Sequence, residues 1–124
     1  MPIPDEVRRF VLTSVPSVPY LEALLLLADK PQQAWDAATL GARLYLPARK
    51  AAELIGQLQE SSMVVQLPQT KSYAWRPAPE LAAMIAQVER FYASHLLEVT
   101  QLIHHKADSR AQQFADAFRW NKEG

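Results

Sequence analysis

The chain has 124 residues with 49% hydrophobic residues, 13 Lys plus Arg against 13 Asp plus Glu, and no cysteine. This length suits one domain with a proper core, and the lack of cysteine excludes disulfides and thiolate metal sites. The zero formal charge excludes the broad basic footprint that usually accompanies tight non-specific nucleic-acid binding.

No membrane span or signal peptide is expected from the sequence. The most apolar run, "LEALLLLA", is far shorter than the ~20 residues that a spanning helix needs. The start, "MPIPDEVRRF", carries acids and prolines before any apolar run, unlike a signal peptide. We therefore expect a cytoplasmic protein with no membrane partner.

The first part of the chain predicts two helices separated by prolines. A short helix over 5–15 places Val7, Phe10 and Val11 on one side. A second helix, from residue 19 or 20 to about 29, is apolar around most of its circumference. We expect this second helix to be central to the core.

The stretch from residue 33 to residue 60 predicts a pair of helices joined by a tight corner. A short extended piece over 33–35 is followed by Asp36, a good N-cap for a helix over 37–44. The letters "LYLP" form the corner, and Pro47 suits the first turn of a helix over 47–60. This layout is typical of a helix-turn-helix.

After this pair the apolar period changes from 3.6 to 2, which indicates strands. The segments 63–67 and 73–76 predict a hairpin around a turn at 68–72. Two short strands are marginal by themselves, so they need a helix to pack against.

In the order and lengths of their elements, residues 20–77 resemble the winged-helix domains of bacterial transcriptional regulators, especially the MarR-like kind. The ending "RAQQFADAFRWNKE" is similar to that of a group of small proteobacterial winged-helix proteins. The resemblance implies a mainly α fold with a small β-wing: a winged helix-turn-helix plus a long C-terminal helix and a short terminal helix. It divides the chain into a winged-helix domain over 1–78 and a helical extension for dimerisation and docking over 79–124, together one compact unit.

The resemblance also implies that the helix over 47–60 is a DNA recognition helix. The candidate DNA contacts are Arg43, Arg49, Lys50, Gln57, Lys71 and Arg76. Glu53 and Glu60 lie on the same helix and would repel phosphate or pair with its cations. The alternative is therefore an ordinary solvated face, or a surface that binds a protein instead of DNA.

A long helix is expected from about residue 80 to residue 105, because the segment contains no proline or glycine. Its apolar positions follow a heptad pattern: Leu81, Ile85, Val88, Tyr92, His95, Val99 and Leu102. A single helix of this length, roughly 39 Å at 1.5 Å per residue, is too long to be buried along a small domain. We expect these residues to form a homodimer interface, unless the first and last helices fold back to cover them.

A last helix, from about Asp108 or Ser109 to Trp120, presents Phe114 and Phe118 on one face as a candidate docking face with Trp120 just beyond. Its partner is either the long helix or a different protein. The three histidines lack convergent co-ligands, so no metal or other cofactor is expected. No nucleophile motif or phosphate loop is present, so an enzyme is not expected.

These observations favour a DNA-binding transcriptional regulator that acts as a homodimer on double-stranded DNA. The alternative is a winged-helix protein-interaction module, an adaptor or regulatory subunit that does not bind DNA. The two readings differ in what the helix over 47–60 contacts.

Overall fold

The computed structural model describes residues 2–105 and is mainly α-helical, with one small antiparallel sheet of three strands. In chain order the elements are α1 (Asp5–Ser14), α2 (Val18–Asp29), β1 (Ala34–Trp35), α3 (Ala37–Leu44), α4 (Ala48–Glu60), β2 (Val64–Gln66), β3 (Tyr73–Trp75) and α5 (Pro79–Ser94). A further helical segment over 96–105, here called α6, follows α5. The predicted last helix, with Phe114, Phe118 and Trp120, lies outside the described residues.

Local side-chain contacts explain where the helices begin. The Tyr20 amide donates to the Ser17 hydroxyl at 3.2 Å, so α2 starts at Val18, slightly earlier than the sequence predicts. In α3 the Thr39 amide donates to the Asp36 carboxylate at 2.8 Å, and the Asp36 amide donates to the Thr39 hydroxyl at 3.1 Å. This capping box satisfies two exposed donors, and its hydrogen bonds hold the pKa of Asp36 below its usual value.

The sheet has the strand order β1–β3–β2, and both pairings are antiparallel. Ala74 of β3 lies opposite Ala34 on one side and opposite Val65 on the other. The strand that precedes α3 is therefore joined to the hairpin that follows α4. This long-range pairing is compatible with the predicted winged helix.

Helix α2 lies at the centre of the core, as its apolar composition predicts. Leu21, Leu24 and Leu27 are all buried, together with Tyr20 and Ala23 of the same helix. It contacts α3, α4 and α5. Burying a leucine side chain contributes roughly 1.5–3 kcal/mol, so α2 supplies a large part of the stability that holds the other helices together.

The prediction of one continuous helix from about residue 80 to residue 105 is wrong. The helix breaks at His95, whose φ of −129° and ψ of 38° lie outside the helical region. Beyond the break α6 lies beside α1, where Arg8 and Glu98 form an ion pair of 3.5 Å. The change of direction lets Val99 and Ile103 reach the core, where both are 1% exposed. Core packing therefore overrides local helix propensity at this point.

The break also changes the surroundings of the residues that are predicted to form the dimer interface. Ile85, Val88 and Val99 are buried in the core of their own chain, and Leu81, Tyr92, His95 and Leu102 are partly buried. The heptad positions therefore do not form a free stripe in this conformation. Of the alternative, in which the first and last helices fold back over this region, the described residues show α1 beside it; the last helix lies outside them, and the homodimer stays a prediction.

The buried phenol of Tyr20 is expected to make the stability of the fold decrease at alkaline pH. Burial raises the pKa of its phenol, an effect that the nearby Ser61 hydroxyl partly offsets. In the unfolded chain the phenol ionises near pH ~10. The neutral, buried phenol therefore contributes its full share of the folding stability below that pH, and this share is lost as the pH rises through the folded pKa. We expect urea midpoints to fall above pH ~10, and to fall less in Tyr20→Phe. Tyr45→Phe, a change at an exposed tyrosine, is the matched control; equal falls in both variants would contradict the assignment to Tyr20.

Candidate nucleic-acid interface

Two features close the corner between α3 and α4. Tyr45 adopts a left-handed conformation with φ of 58°, and the Leu46 amide donates to the Gly41 carbonyl at 2.9 Å. A Cβ at Gly41 would lie 2.6 Å from the Leu46 carbonyl oxygen, closer than real Cβ contacts allow. Glycine at this position therefore permits the close approach that sets the angle of α4.

The first turn of α4 is exposed and electropositive. Pro47 occupies the N-cap position, no side chain caps the helix, and no acidic residue lies in its first turn. Arg49 and Lys50 are both exposed there. Uncapped amides and the helix dipole favour anions at this end, and the two side chains add full positive charges.

The rest of the outward face of α4 balances this charge. Glu53, Gln57 and Glu60 are exposed, and the Lys50 ammonium lies 3.5 Å from the Glu53 carboxylate. Exposed pairs of this type contribute about 1 kcal/mol or less, so Lys50 can exchange Glu53 for another anion. Arg49 forms no salt bridge within residues 2–105, which makes it the more available of the two cations.

Arg43 lies in the last turn of α3, where it is exposed. Its guanidinium carbon is 6.0 Å from the ring centroid of Trp35, within the range of a cation–π contact. Trp35 is completely buried. The ring therefore restricts the side chain of Arg43 next to the corner that leads into α4.

The hairpin separates the two remaining candidate cations. Lys71 lies in the turn between β2 and β3 and lines a groove shared with α4. Arg76 follows β3 and borders a different depression, beside residues 31–34 at the β1 edge of the sheet. The structure thus brings Lys71 to α4 but places Arg76 at another part of the surface.

The groove between α4 and the hairpin has a volume of about 500 Å³. Small residues of α4 form one wall: Ala48, Ala52 and Gly56. Asp36 and Lys71 supply opposite charges, and Tyr73 adds an aromatic ring. We call this site the α4–hairpin groove. This groove was not expected from the sequence, although the small residues spaced four apart in α4 were a visible signal.

Tyr45 is a second surface feature that was not expected from the sequence. It is 95% exposed at the corner between α3 and α4. An aromatic residue in "LYLP", between two predicted helices, was the signal. An exposed phenol at this place can contact a phosphate through its hydroxyl or a protein surface through its ring.

Comparisons with protein-family models, with curated proteins and with solved structures find no match to this chain. Within residues 2–105 no group of three or more potential ligand residues is placed to hold a metal ion. In the same residues no single helix has the length and apolar content to cross a membrane. Taken together, helices α1 and α2 have that length and apolar content, but the pair is bent by 115°.

Proposed function

We propose that this protein is a winged helix-turn-helix, MarR-like DNA-binding regulator that acts as a homodimer and inserts α4 into the major groove. The observation that carries the proposal is the uncapped first turn of α4. Arg49 and Lys50 project from this turn, and no acidic side chain occupies it. A recognition helix contacts base edges mainly through residues near its N-terminus.

The arrangement of elements supports this assignment. The pair α3 and α4 lies between β1 and the β2–β3 hairpin, and β1 pairs with β3 to close the unit. This is the order of a winged helix, in which the hairpin stands beside the recognition helix. Lys71, in the hairpin turn, lies across the α4–hairpin groove from the start of α4.

The proposed contacts differ in role. Arg49 has the shape and charge to read guanine through two hydrogen bonds. Lys50, Arg43 and Lys71 contact phosphates and fix the orientation of the helix. Gln57, two turns further along α4, reaches DNA only where the helix lies deep in the groove. Arg76 is left out of this set because it borders a different depression from the one that Lys71 and α4 share.

Because the net charge is zero, DNA affinity is expected to depend more on contacts to a specific DNA sequence than on long-range electrostatic attraction. Among the described residues four cations are proposed to face DNA, and together they are expected to contribute up to about −3.6 per chain to the slope of log K against log salt. Two α4 helices in a two-fold dimer would read half-sites about 34 Å apart. Affinity for unrelated DNA is then weak at near-physiological salt.

The test is fluorescence anisotropy of labelled genomic DNA fragments at low and near-physiological salt. In the Arg49→Ala, Lys50→Ala double variant we expect affinity to fall at least about tenfold, because a base contact and a phosphate contact are both lost. The matched control is Arg9→Ala with Arg90→Ala, which removes the same charge from exposed positions on α1 and α5. Equal losses in both double variants, or no saturable binding at low salt, would refute the proposal.

A protein-interaction module is the second candidate, favoured by the exposure of Tyr45 and by the small apolar residues of α4 in the α4–hairpin groove. A DNA-reading helix has no need of an apolar wall facing its hairpin, whereas a partner helix or peptide would pack there. Glu53 and Glu60 offset the cations of α4, which also suits a protein partner. Absence of DNA binding at every salt concentration would make this module the leading proposal.

A further inference from the structure

The backbone at the end of α3 does not suit the residue that occupies it. Tyr45 adopts a left-handed conformation there, with φ of 58° and ψ of 42°. The conformation itself is useful, because the amides of Tyr45 and Leu46 both donate to the Gly41 carbonyl and close the helix end. Glycine or asparagine adopts this conformation at the least cost, whereas a bulky side chain is strained in it. The helix end therefore requires a left-handed residue, but it does not require a tyrosine.

The ring of Tyr45 is also not used by the described part of the chain. Tyr45 is 95% exposed, so its side chain packs against almost nothing within residues 2–105. The other tyrosines, Tyr20, Tyr73 and Tyr92, are all buried or half-buried. A strained backbone and an exposed ring at one residue both cost free energy, and neither cost is offset by a contact within the described chain. This combination points to a contact with another molecule.

The charges around Tyr45 indicate which kind of molecule it contacts. The segment 37–52 contains no carboxylate but carries Arg43, Arg49 and Lys50. Arg43 precedes Tyr45 by two residues and Arg49 follows it by four, and both are exposed. The segment therefore attracts an anionic partner, and a phenol hydroxyl is a hydrogen-bond donor that suits an anionic oxygen.

A protein partner explains these surroundings less well. The contact centre of a protein interface is usually a cluster of apolar side chains that pack together. The other exposed large apolar residues of the described chain, Val65, Leu96 and Leu97, lie on β2 and α6, away from this corner in the chain. Tyr45 is thus an isolated aromatic residue among cations, and a nucleic-acid phosphate fits it better than an apolar surface does.

We propose that Tyr45 is a positioning residue for DNA, whose phenol hydroxyl donates a hydrogen bond to a phosphate oxygen beside the first turn of α4. Tyrosine contacts to phosphate carry no sequence information, but they fix the orientation of a protein on the duplex. The contact holds the corner between α3 and α4 on the DNA backbone while Arg49 reaches a base. The inference rests on the DNA binding proposed above, and it adds a neutral contact to the four cations.

Two variants of Tyr45 test the contact by fluorescence anisotropy on the DNA that the natural chain binds. Tyr45→Phe removes only the hydroxyl, and Tyr45→Asn removes the ring and relieves the backbone. We expect affinity to fall about tenfold in each, the usual effect of losing a hydrogen bond to a charged group. The slope of log K against log salt stays unchanged, because the phenol carries no charge. In Lys50→Ala, by contrast, the loss of a cation makes the slope shallower by about 0.9.

Stability separates a positioning role from a structural one. Tyr45→Asn is expected to raise the urea midpoint, because asparagine tolerates the left-handed conformation, and Tyr45→Phe is expected to leave it unchanged. The matched control is Ser62→Asn, which relieves a φ of 62° at an exposed position beyond the other end of α4. This control also raises the midpoint, but it leaves DNA affinity as it is in the natural chain.

The outcomes distinguish failure of this contact from failure of DNA binding. If the natural chain binds DNA and both Tyr45 variants bind equally well, the regulator stands and the role of Tyr45 is refuted. If only Tyr45→Asn loses affinity, the ring and not the hydroxyl makes the contact, and the phosphate assignment is overturned. If the natural chain binds no DNA at any salt concentration, the proposed function fails and this inference fails with it.

Discussion

Gly41→Ala is expected to lower the free energy of unfolding by about 1–3 kcal/mol, the usual range for overpacking a tight site. A methyl group at this position meets the Leu46 carbonyl oxygen at 2.6 Å. That oxygen belongs to the backbone of the corner before α4, so it cannot rotate away as a side chain would. The gain in helix propensity from glycine to alanine, about 1 kcal/mol, reduces the loss but does not reverse it.

Gly56→Ala is the matched control because it makes the same chemical change in the next helix. No atom lies within 4 Å of a Cβ built at Gly56, so the propensity gain acts alone. We expect this variant to be more stable than the natural chain by about 0.5–1 kcal/mol. Urea unfolding followed by far-ultraviolet circular dichroism measures both variants. Changes of the same sign would show that the tight contact at Gly41 does not set the angle between α3 and α4.

The two glycines differ in the reason for their presence: Gly41 is required by a tight contact within the fold, whereas no such contact requires Gly56. Gly56 lines the α4–hairpin groove and reduces helix stability without any contact inside the described chain that requires it. A glycine of this kind is explained when something outside the chain approaches α4 closely. If Gly56→Ala is more stable yet binds DNA or a partner less well, the groove is part of the binding surface.

Local signals in the sequence were enough to predict most elements of this fold. Asp36 predicted the start of α3 as an N-cap, and its capping box with Thr39 is present. The apolar pattern of α2 predicted its burial, and the change of period after α4 predicted the hairpin. These features depend on residues close in sequence, where propensity and periodicity act directly.

The break at His95 could not be predicted in this way, because its cause is not local. No residue between Pro79 and His105 has a propensity low enough to end a helix. The bend arises because Val99 and Ile103 are buried in the core. The pairing of β1 with β3 is also a long-range event. For the candidate site the sequence identified the cations of α4, whereas the separation of Lys71 from Arg76 depends on that pairing.

Trp35→Ala is expected to lower the free energy of unfolding by about 3–5 kcal/mol, the range for truncating a buried aromatic residue. Trp35 is completely buried, and it immediately precedes the Asp36 cap of α3. Its removal leaves a cavity where the β1 strand meets the core. It also removes the ring beneath the Arg43 guanidinium, so any DNA affinity that depends on Arg43 falls with it.

Trp35→Phe distinguishes the ring from its polar group. The indole Nε1 is buried and has no hydrogen-bond partner within the described residues. Replacing it with phenylalanine therefore loses some apolar contact but also removes an unsatisfied donor, whose burial costs about 1–3 kcal/mol. We expect the two effects to leave stability within about 1.5 kcal/mol of the natural chain, as measured by circular dichroism in urea.

A loss as large as that of Trp35→Ala would mean that the N–H group has a partner and that the β1 strand is held by a polar contact. A small loss, with Arg43-dependent affinity retained, would assign the role of Trp35 to its aromatic surface, which packs the core on one side and restricts Arg43 on the other.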